Sequence, residues 1–561
     1  MFDLVIRGAT VVDGQGAEPV RTDVGVKDGR IAALGAPGRE AAEVVDADGL
    51  CLSPGFVDVH THYDAQVTWD PTLSPSSSLG VTTVVMGNCG FGIVPCPPPA
   101  NETLMRNLSV VEGMDLDALR AGIRWEFTTF PEYMDFLRRQ SPYLNTAVLI
   151  GHSTVRTTVM GDAASVREQP TADELHAMRE TVREALRAGA MGFASSFSPN
   201  HSGYGGVPMP STLSTEEELR AIVGVLGEEG RGVFQMATGA RATVDLLESL
   251  SADTSRPVIM SAALTMFNEA EPQTALTILD RIAGARNRGR SVHAQVTCQP
   301  LSLDFTADNA YPFFSHAAFD RVRQVDGAEK RRIFADPAFR EAFRQNLRAP
   351  QPGVLFHGNW ERVSVAVAAT PALAEFENLS VAEVARRRGG DPVDAFFDLS
   401  LEEDLRTVFV GKLLNADDEG VAPILRHQSG VIALSDAGAH LSFMCDAGYG
   451  LHFLAHWVRE RGDFDLAEGI RRLTSHPADL YGIPDRGRIA PGAWADLLLF
   501  DPQTVGISKP LRVSDLPAGA TRTIREPKGL HGQWVNGVRV YGDGRCLELP
   551  KGPGHVLDRF H

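Results

Sequence analysis

Two histidines, a cysteine and an aspartate follow short apolar runs and suggest a metal centre. His60 and His62 lie one residue apart in GFVDVHTHYD, Cys89 lies in GNCGFG, and Asp436 lies in SDAGAH. Side chains at positions i and i+2 of a strand share one face, so both imidazoles are able to bind one divalent cation. A thiolate is a strong zinc ligand, and a carboxylate beside a metal can accept a proton from water.

Each of these residues taken alone has a plainer interpretation. Two histidines on a strand can be hydrogen-bonded core residues, and a lone cysteine is often a small buried hydrophobe. An aspartate after an apolar strand is often the N-cap of the next helix. Their combination at the ends of three predicted strands favours the metal interpretation.

The elements that position these residues are short apolar runs that alternate with amphipathic stretches such as TADELHAMRETVREALRAG. The predicted strands are GFVDVH, VTTVVMGN, TAVLIG, MGFASS, GVFQMA, PVIMSA, SVHAQVT and VIALSD. Eight such strands indicate an α/β fold, the (β/α)8 TIM barrel, whose active sites lie at the C-terminal ends of the strands. The histidines, Cys89 and Asp436 all follow such ends.

The two ends of the chain differ from its middle. They contain short β-rich runs separated by DG and GA turns, which predicts one small β-sandwich domain from residues 1–52 and 486–561. The barrel is expected over residues 53–485. A long stretch separates SVHAQVT from VIALSD, and we expect an inserted subdomain there, at about 300–425.

Charge and hydropathy narrow the class of partner. The 53 Lys+Arg residues stand against 71 Asp+Glu, a net charge of -18 that argues against nucleic acid and against an anionic membrane. No run of about 20 apolar residues is present, and the start of the chain lacks a signal-peptide pattern. We therefore expect a cytoplasmic enzyme with a small-molecule substrate, either monomeric or a homo-oligomer.

The chain resembles the N-acyl-D-amino-acid deacylases (D-aminoacylases) of the amidohydrolase superfamily. The resemblance rests on LVIRGATVVDGQG, PGFVDVHTHYD, GVTTVVMGNCGFGIVP, VLIGHSTVR, RAGAMGFASS, VIALSDAGAH, LTSHPADLYGI and RGRIAPGAWADLLLFDP. It implies a (β/α)8 barrel with a β-sandwich from both termini. It also implies zinc-dependent hydrolysis of an amide C–N bond, with a catalytic aspartate that matches Asp436.

The lysines of the chain bear on the role of Cys89. Many superfamily members bridge two metals with a carboxylated lysine on the fourth strand, but no lysine lies between Lys27 and Lys330 here. The D-aminoacylases, which this chain resembles, use a cysteine from the second strand instead, and Cys89 occupies the matching position in GNCG. The resemblance therefore implies that Cys89 is a zinc ligand.

The chain departs from the family at the fifth and sixth strands. The family draws two further histidine ligands from these strands, whereas GVFQMATGA and PVIMSAALT contain none. Three arrangements are open: one zinc ion on His60, His62, Cys89 and Asp436, a second ion, or an inactive site. The candidates for a second site are His201, Gln235 and His293. We favour the single ion, because four N, S and O ligands suffice for zinc.

Other polar residues near the predicted strand ends are candidates for substrate binding. They are His152 and Arg156 in GHSTVR, Tyr204 in a glycine-rich loop, His357 in the insertion, and His440 after Asp436. Arg156 is the candidate for a substrate carboxylate. Purely structural hydrogen bonding is the alternative role for each of them.

The resulting hypothesis is a metal-dependent hydrolase that removes the acyl group of an N-acyl-D-amino acid. In this hypothesis zinc lowers the pKa of a bound water molecule, Asp436 accepts its proton, and the resulting hydroxide attacks the amide carbonyl. One alternative is a related enzyme that cleaves another amide, a cyclic imide, a lactam or a carbamate. The other is a non-catalytic barrel that binds a ligand, which the two missing histidines motivate.

Overall fold

The structure is a computed structural model that describes residues 1–35, 40–198, 201–237, 239–262, 265–322, 325–349, 354–439 and 446–560. The chain forms two compact units. The first unit consists of Met1–Thr265, Leu276–Cys298 and Ala422–His561, and the second consists of Met266–Ala275 and Gln299–Val421.

Eight parallel strands of the first unit form one curved sheet, in which each strand pairs with its neighbour in chain order. They confirm the eight strands predicted from the sequence. The strands are Phe56–Asp58, Val81–Met86, Asn145–Gly151, Gly192–Ser196, Val233–Ala237, Val258–Met260, Val292–Val296 and Gly430–Ile432. Just past the first and eighth strands, Thr61 and Ala437 form a parallel bridge that brings the two edges of the sheet together.

The apolar character of these runs follows from burial on both faces. Every residue of Val81–Met86 and Asn145–Gly151 is buried, as expected for parallel strands covered on both sides. Val57, Leu149 and Ile259 belong to one core cluster that draws residues from most of the strands. A continuous apolar run is therefore the signature of these strands, and a polar residue within one stands out.

Helices alternate with the strands and begin at recognisable caps. The predicted helical stretch is confirmed as Ala172–Ala188, which starts with a capping box between Thr171 and Glu174 and ends at Gly189 with φ +109°. Further α-helices are Asn101–Val111, Leu116–Gly122, Phe130–Gln140, His152–Met160, Pro210–Leu213, Glu216–Glu228, Val244–Thr254, Thr274–Asn287, Asp418–Arg426, Tyr449–His452, Leu466–Leu473 and Ser475–Leu480, beside the π-helix Phe453–Glu460. Within the described ranges, no helix is long and apolar enough to cross a bilayer.

Strands from both ends of the chain share a second sheet in the first unit. Its nine strands are Phe2–Val11, Val20–Lys27, Arg30–Gly35, Ala41–Asp46, Cys51–Pro54, Leu497–Phe500, Leu530–Val535, Val538–Gly542 and Arg545–Cys546. The antiparallel pairing of Cys51–Pro54 with Leu497–Phe500 joins the two halves. Two short pairs complete the C-terminal part: Gly506–Ile507 with Pro527–Lys528, and Leu511–Val513 with Arg522–Ile524.

The second unit has its own small sheet and an aromatic core. Val408–Leu414 is the central strand between Leu301–Phe305 and Val363–Val367. Its helices are Gly327–Ala335, Pro337–Arg348, Val381–Arg388 and Pro392–Glu402. Phe313 packs edge-on against Phe396, with ring centroids 5.2 Å apart, so stacked and tilted aromatic rings fill this core.

Two histidines of the first unit are held neutral by their surroundings. Burial lowers the pKa of His293 to about 3, and the nearby Arg286 and His476 act in the same direction. Burial likewise lowers the pKa of His476 to about 3, helped by Arg472. In the unfolded chain both side chains would have a pKa of about 6.5.

We predict that these histidines make the fold sensitive to acid. The unfolded chain binds more protons below about pH 6.5, so the free energy of unfolding falls as pH drops from about 6.5 towards about 3. Urea unfolding should therefore show a lower midpoint at pH 5 than at pH 7, and His476→Gln should reduce this difference. The same change at the exposed His176 is the control; an equal effect of both variants would contradict the assignment.

Candidate metal centre

The first and eighth strands bring His60, His62 and Asp436 together. The backbone N–H of Asp436 donates to the carbonyl of His60, and that of His62 donates to the carbonyl of Ala437. As a result, Oδ1 of Asp436 lies 3.3 Å from Nε2 of His60 and 3.5 Å from Nε2 of His62. The two imidazoles and the carboxylate, predicted from separate strands, therefore face one point.

Cys89 reaches the same point from the loop after the second strand. Its Sγ lies 3.4 Å from Nε2 of His60, and ligand atoms of His60, His62 and Cys89 all lie within 4.8 Å of one another. The loop is pressed against its neighbours: a Cβ on Gly87, which has φ +83°, would lie 2.1 Å from the carbonyl oxygen of Leu149. Glycine is therefore required where this loop begins.

Two of the four clustered residues have unusual backbone conformations. Cys89 has φ +58° and Asp436 has φ +47°, both in the left-handed region that non-glycine residues rarely adopt. Such conformations cost about 1–3 kcal/mol each and are typical of functional sites. The fold holds these two side chains in place at a local energetic cost.

Each imidazole is anchored from behind through its Nδ1 atom. Nδ1 of His60 lies 2.6 Å from Oε1 of Gln295, whose Nε2 donates to the hydroxyl of Tyr481. Nδ1 of His62 lies 3.4 Å from Oε1 of Glu112, a buried carboxylate at the end of helix Asn101–Val111. An acceptor at Nδ1 places the proton there and leaves the Nε2 lone pair for a metal, as in known metal sites.

The sequence interpretation missed Glu112, Gln295 and Tyr481. A glutamine within the apolar run SVHAQVT is a signal that could have identified Gln295, because a polar side chain in a buried strand needs a partner. Glu112 follows a helix far from both histidines in the sequence, and no local pattern distinguishes it from a surface glutamate. Its position depends on how that helix packs.

The acidic and basic groups of the cluster favour each other's charged forms. Although burial opposes protonation, the Cys89 thiolate and the Asp436 carboxylate raise the pKa of His60 to about 9. His62 behaves likewise: against the effect of burial, Glu112 above all raises its pKa well above the usual value. In return, the two imidazoles lower the pKa of the Cys89 thiol in spite of its burial. Without a metal, protons on the histidines balance the surrounding anions.

The donor set suits zinc. Two imidazole nitrogens, a thiolate and a carboxylate are N, S and O ligands that Zn²⁺ takes, and a displaced ligand or an expanded coordination shell would admit water. The histidine and cysteine ligand atoms come from two short segments, after the first and second strands, that the barrel fixes relative to each other. The residues predicted as ligands are thus placed where a single ion could be bound.

The three candidates for a second metal site lie in different surroundings. Gln235 is fully buried, and its Oε1 accepts a hydrogen bond of 3.0 Å from the backbone N–H of Cys89. His201 contacts the hydroxyl of Ser196 and packs edge-on against Phe91, so it lies near the Cys89 loop. His293 lies near the amino end of its strand, where its ring is close to Ser291.

His152 and Arg156 form a buried network instead of an exposed binding surface. Nδ1 of His152 lies 2.8 Å from the Ser195 hydroxyl and Nε2 lies 2.8 Å from Oε1 of Glu218. The other oxygen of Glu218 pairs with the guanidinium of Arg156, which is 0% exposed. Direct contact of Arg156 with a substrate carboxylate is therefore not supported, because its charge is already balanced out of reach of solvent.

Three further residues were predicted to contact substrate: Tyr204, His357 and His440. Tyr204 is 50% exposed, and its ring lies 4.9 Å from the guanidinium carbon of Arg106. His357 belongs to the second unit, where burial lowers its pKa. His440 lies outside the described residues.

Comparison with known proteins identifies the family. The model of the amidohydrolase family matches residues 43–541, most of the chain. The chain belongs to the amidohydrolase family. It is therefore an enzyme that hydrolyses carbon–nitrogen bonds other than peptide bonds.

Individual relatives are similar over almost the whole chain. D-aminoacylase of Alcaligenes xylosoxydans xylosoxydans is 28% identical over 557 residues, which cover 96% of this chain and 94% of the relative. The crystal structure of N-acyl-D-glutamate deacylase from Bordetella bronchiseptica, complexed with zinc and a phosphonate mimic of the tetrahedral intermediate, is 27% identical with a TM-score of 0.65. A D-aminoacylase structure that addresses a binuclear metal centre, one-metal activation and second-metal attenuation is 25% identical with a TM-score of 0.66. Both structural matches cover 100% of both chains.

We predict that Glu112 contributes to metal affinity through His62. Glu112→Gln removes the charge that orients the imidazole, and such changes behind a ligand typically weaken binding by about 10–100-fold. Zn²⁺ affinity, measured by competition with a chromophoric chelator, should fall by at least about tenfold. Glu102→Gln on the exposed side of the same helix is the control and should leave the affinity unchanged. Equal affinities of all three proteins would contradict the role of Glu112.

Proposed function

We propose that this chain is a zinc-dependent deacylase of N-acyl-D-amino acids. The observation that carries the proposal is the convergence of His60, His62, Cys89 and Asp436 at the carboxyl ends of three barrel strands. Relatives named D-aminoacylase and N-acyl-D-aspartate deacylase align with 96% and 99% of this chain, which supports the substrate class.

Zinc at this position would polarise the amide carbonyl and lower the pKa of a water molecule. His60 and His62 hold the site from within the barrel, with only 2% and 4% of their side chains exposed. Asp436 has 15% of its side chain exposed, so solvent and substrate reach it better than either histidine.

Asp436 is positioned to move the proton. As a general base, its carboxylate accepts a proton from the water molecule that attacks the carbonyl carbon of the amide. It then donates this proton to the amide nitrogen, so that the C–N bond breaks with an amine as the leaving group. Both steps need the carboxylate near the carbonyl carbon of the substrate.

We favour one zinc ion. The oxygen of Gln235 already accepts the Cys89 N–H, and His293 lies near the amino end of its strand. Of the three candidates for a second site, His201 is the one we retain, because its ring packs against Phe91 near the Cys89 loop. The D-aminoacylase structure that addresses one-metal activation supports catalysis by a single ion.

Membership of the same family supports a proposal for the domain arrangement of the chain. We infer a closed (β/α)8 barrel over residues 53–485 with an insertion at about 300–425, and a β-sandwich from residues 1–52 and 486–561. The net charge of -18 argues against nucleic-acid and anionic-membrane partners. We propose a cytoplasmic enzyme, either monomeric or a homo-oligomer.

We predict that Asp436→Asn removes activity and not the metal. Loss of a general acid–base residue typically lowers kcat by about 10²–10⁴-fold. The zinc content of the variant, measured by plasma emission spectrometry, should stay close to that of the wild type because His60, His62 and Cys89 remain. Asp485→Asn at an exposed surface pair is the control. Undiminished turnover by the Asp436 variant would refute the assignment.

A panel of substrates tests the reaction itself. We predict that N-acetyl-D-amino acids release primary amine and that their L-enantiomers do not, with activity lost on chelation and regained with Zn²⁺. Activity only on cyclic imides, lactams, carbamates or other amides would contradict the proposed substrate class but not the metal-dependent hydrolysis of a C–N bond. A protein that stays inert on every compound and binds no zinc would instead be a ligand-binding barrel.

A further inference from the structure

Gln235 is a polar side chain in the middle of an otherwise apolar barrel strand. It lies in Val233–Ala237, where every residue is buried, and Gln235 itself is 0% exposed. A buried amide needs hydrogen-bond partners to offset its desolvation. The partner it has is the backbone N–H of Cys89, 3.0 Å from its Oε1 atom.

This hydrogen bond fixes the orientation of the amide. The Cys89 N–H can only donate, so the oxygen of Gln235 must face it and the nitrogen must point away. The amide nitrogen has no free lone pair for a metal, and one lone pair of the oxygen accepts the Cys89 N–H. Gln235 therefore faces the backbone of a predicted ligand beside the cluster.

The residue that Gln235 holds is in a strained conformation. Cys89 has φ +58° and ψ 2°, and a non-glycine residue stays in this region only where its surroundings enforce it. Asp64 fixes the start of the same loop, since its Oδ2 accepts a hydrogen bond of 3.1 Å from the N–H of Gly87. A Cβ on Gly90 would lie 2.9 Å from Cα of Ser195, so the end of the loop is confined as well.

We propose that Gln235 is a positioning residue that holds Cys89 in the conformation in which its thiolate binds the metal. The inference rests on the proposed zinc site and adds to it a role for the fifth strand. Where that strand carries no histidine, it supplies an amide that acts through the backbone of a ligand. Gln235 thus contributes to the geometry of the centre without touching the ion.

The test removes the amide while keeping the volume. Gln235→Met has a side chain of similar length that replaces the amide with a thioether, a much weaker hydrogen-bond acceptor, and Gln235→Asn withdraws the amide oxygen by one methylene group. Gln533→Met is the matched control: Gln533 is also 0% exposed, and its Oε1 accepts the backbone N–H of Gly80, before the opposite end of the second strand. Far-UV circular dichroism establishes whether each variant is folded. If Gln235→Met does not fold, Gln235→Asn alone tests whether Gln235 positions Cys89.

Two readouts follow the metal directly. The first is Zn²⁺ affinity by chelator competition, which should fall by about 10–100-fold in the Gln235 variants and stay unchanged in Gln533→Met. The second is the thiolate-to-metal charge-transfer absorption of the Co²⁺-loaded protein, which reports the Cys89–metal bond. It should weaken or shift in the Gln235 variants alone.

The outcomes separate this inference from the proposed function. Folded Gln235 variants with wild-type affinity and wild-type absorption would overturn the positioning role while the zinc site stands. A wild-type protein without thiolate absorption would contradict Cys89 as a ligand, and with it the proposed centre. Equal losses in Gln533→Met would show that the effect is general destabilisation and would also overturn the inference.

Discussion

The orientation of two imidazole rings is the constraint on which the centre depends. Nε2 of His60 and Nε2 of His62 face the same carboxylate oxygen because acceptors behind them occupy both Nδ1 atoms. Gln295 comes from the seventh strand and Glu112 from the end of a helix. A histidine whose Nδ1 carries the proton presents a lone pair at Nε2, so these two acceptors decide what the rings can bind.

The same constraint explains why such a polar cluster is tolerated inside the barrel. Buried ion pairs gain little stability, because desolvation offsets their attraction. Here the imidazoles share protons with a thiolate and carboxylates, so each charge has a neighbour of opposite sign. A divalent cation would displace the protons from the ligand atoms, because metal ligands must be deprotonated. The arrangement is costly for folding and suited to binding a metal.

The sequence predicted those parts of the molecule that local pattern encodes. The eight barrel strands are continuous apolar runs because both of their faces are covered, and the residues that follow them meet at one rim. His60, His62, Cys89 and Asp436 could be proposed for this reason. Glu112 could not, since a single glutamate after an ordinary helix carries no mark of its burial. Arg156 is a candidate from the sequence because a substrate carboxylate needs a nearby cation, whereas its pairing with Glu218 depends on the tertiary structure.

The most direct test of the centre is anomalous diffraction at the zinc edge from crystals of protein purified without chelators. The account predicts one zinc peak per chain at the barrel mouth, about 2.0–2.3 Å from Nε2 of His60, Nε2 of His62 and Sγ of Cys89. No peak at these atoms, or two fully occupied peaks beside each other, would contradict a centre that holds one zinc ion.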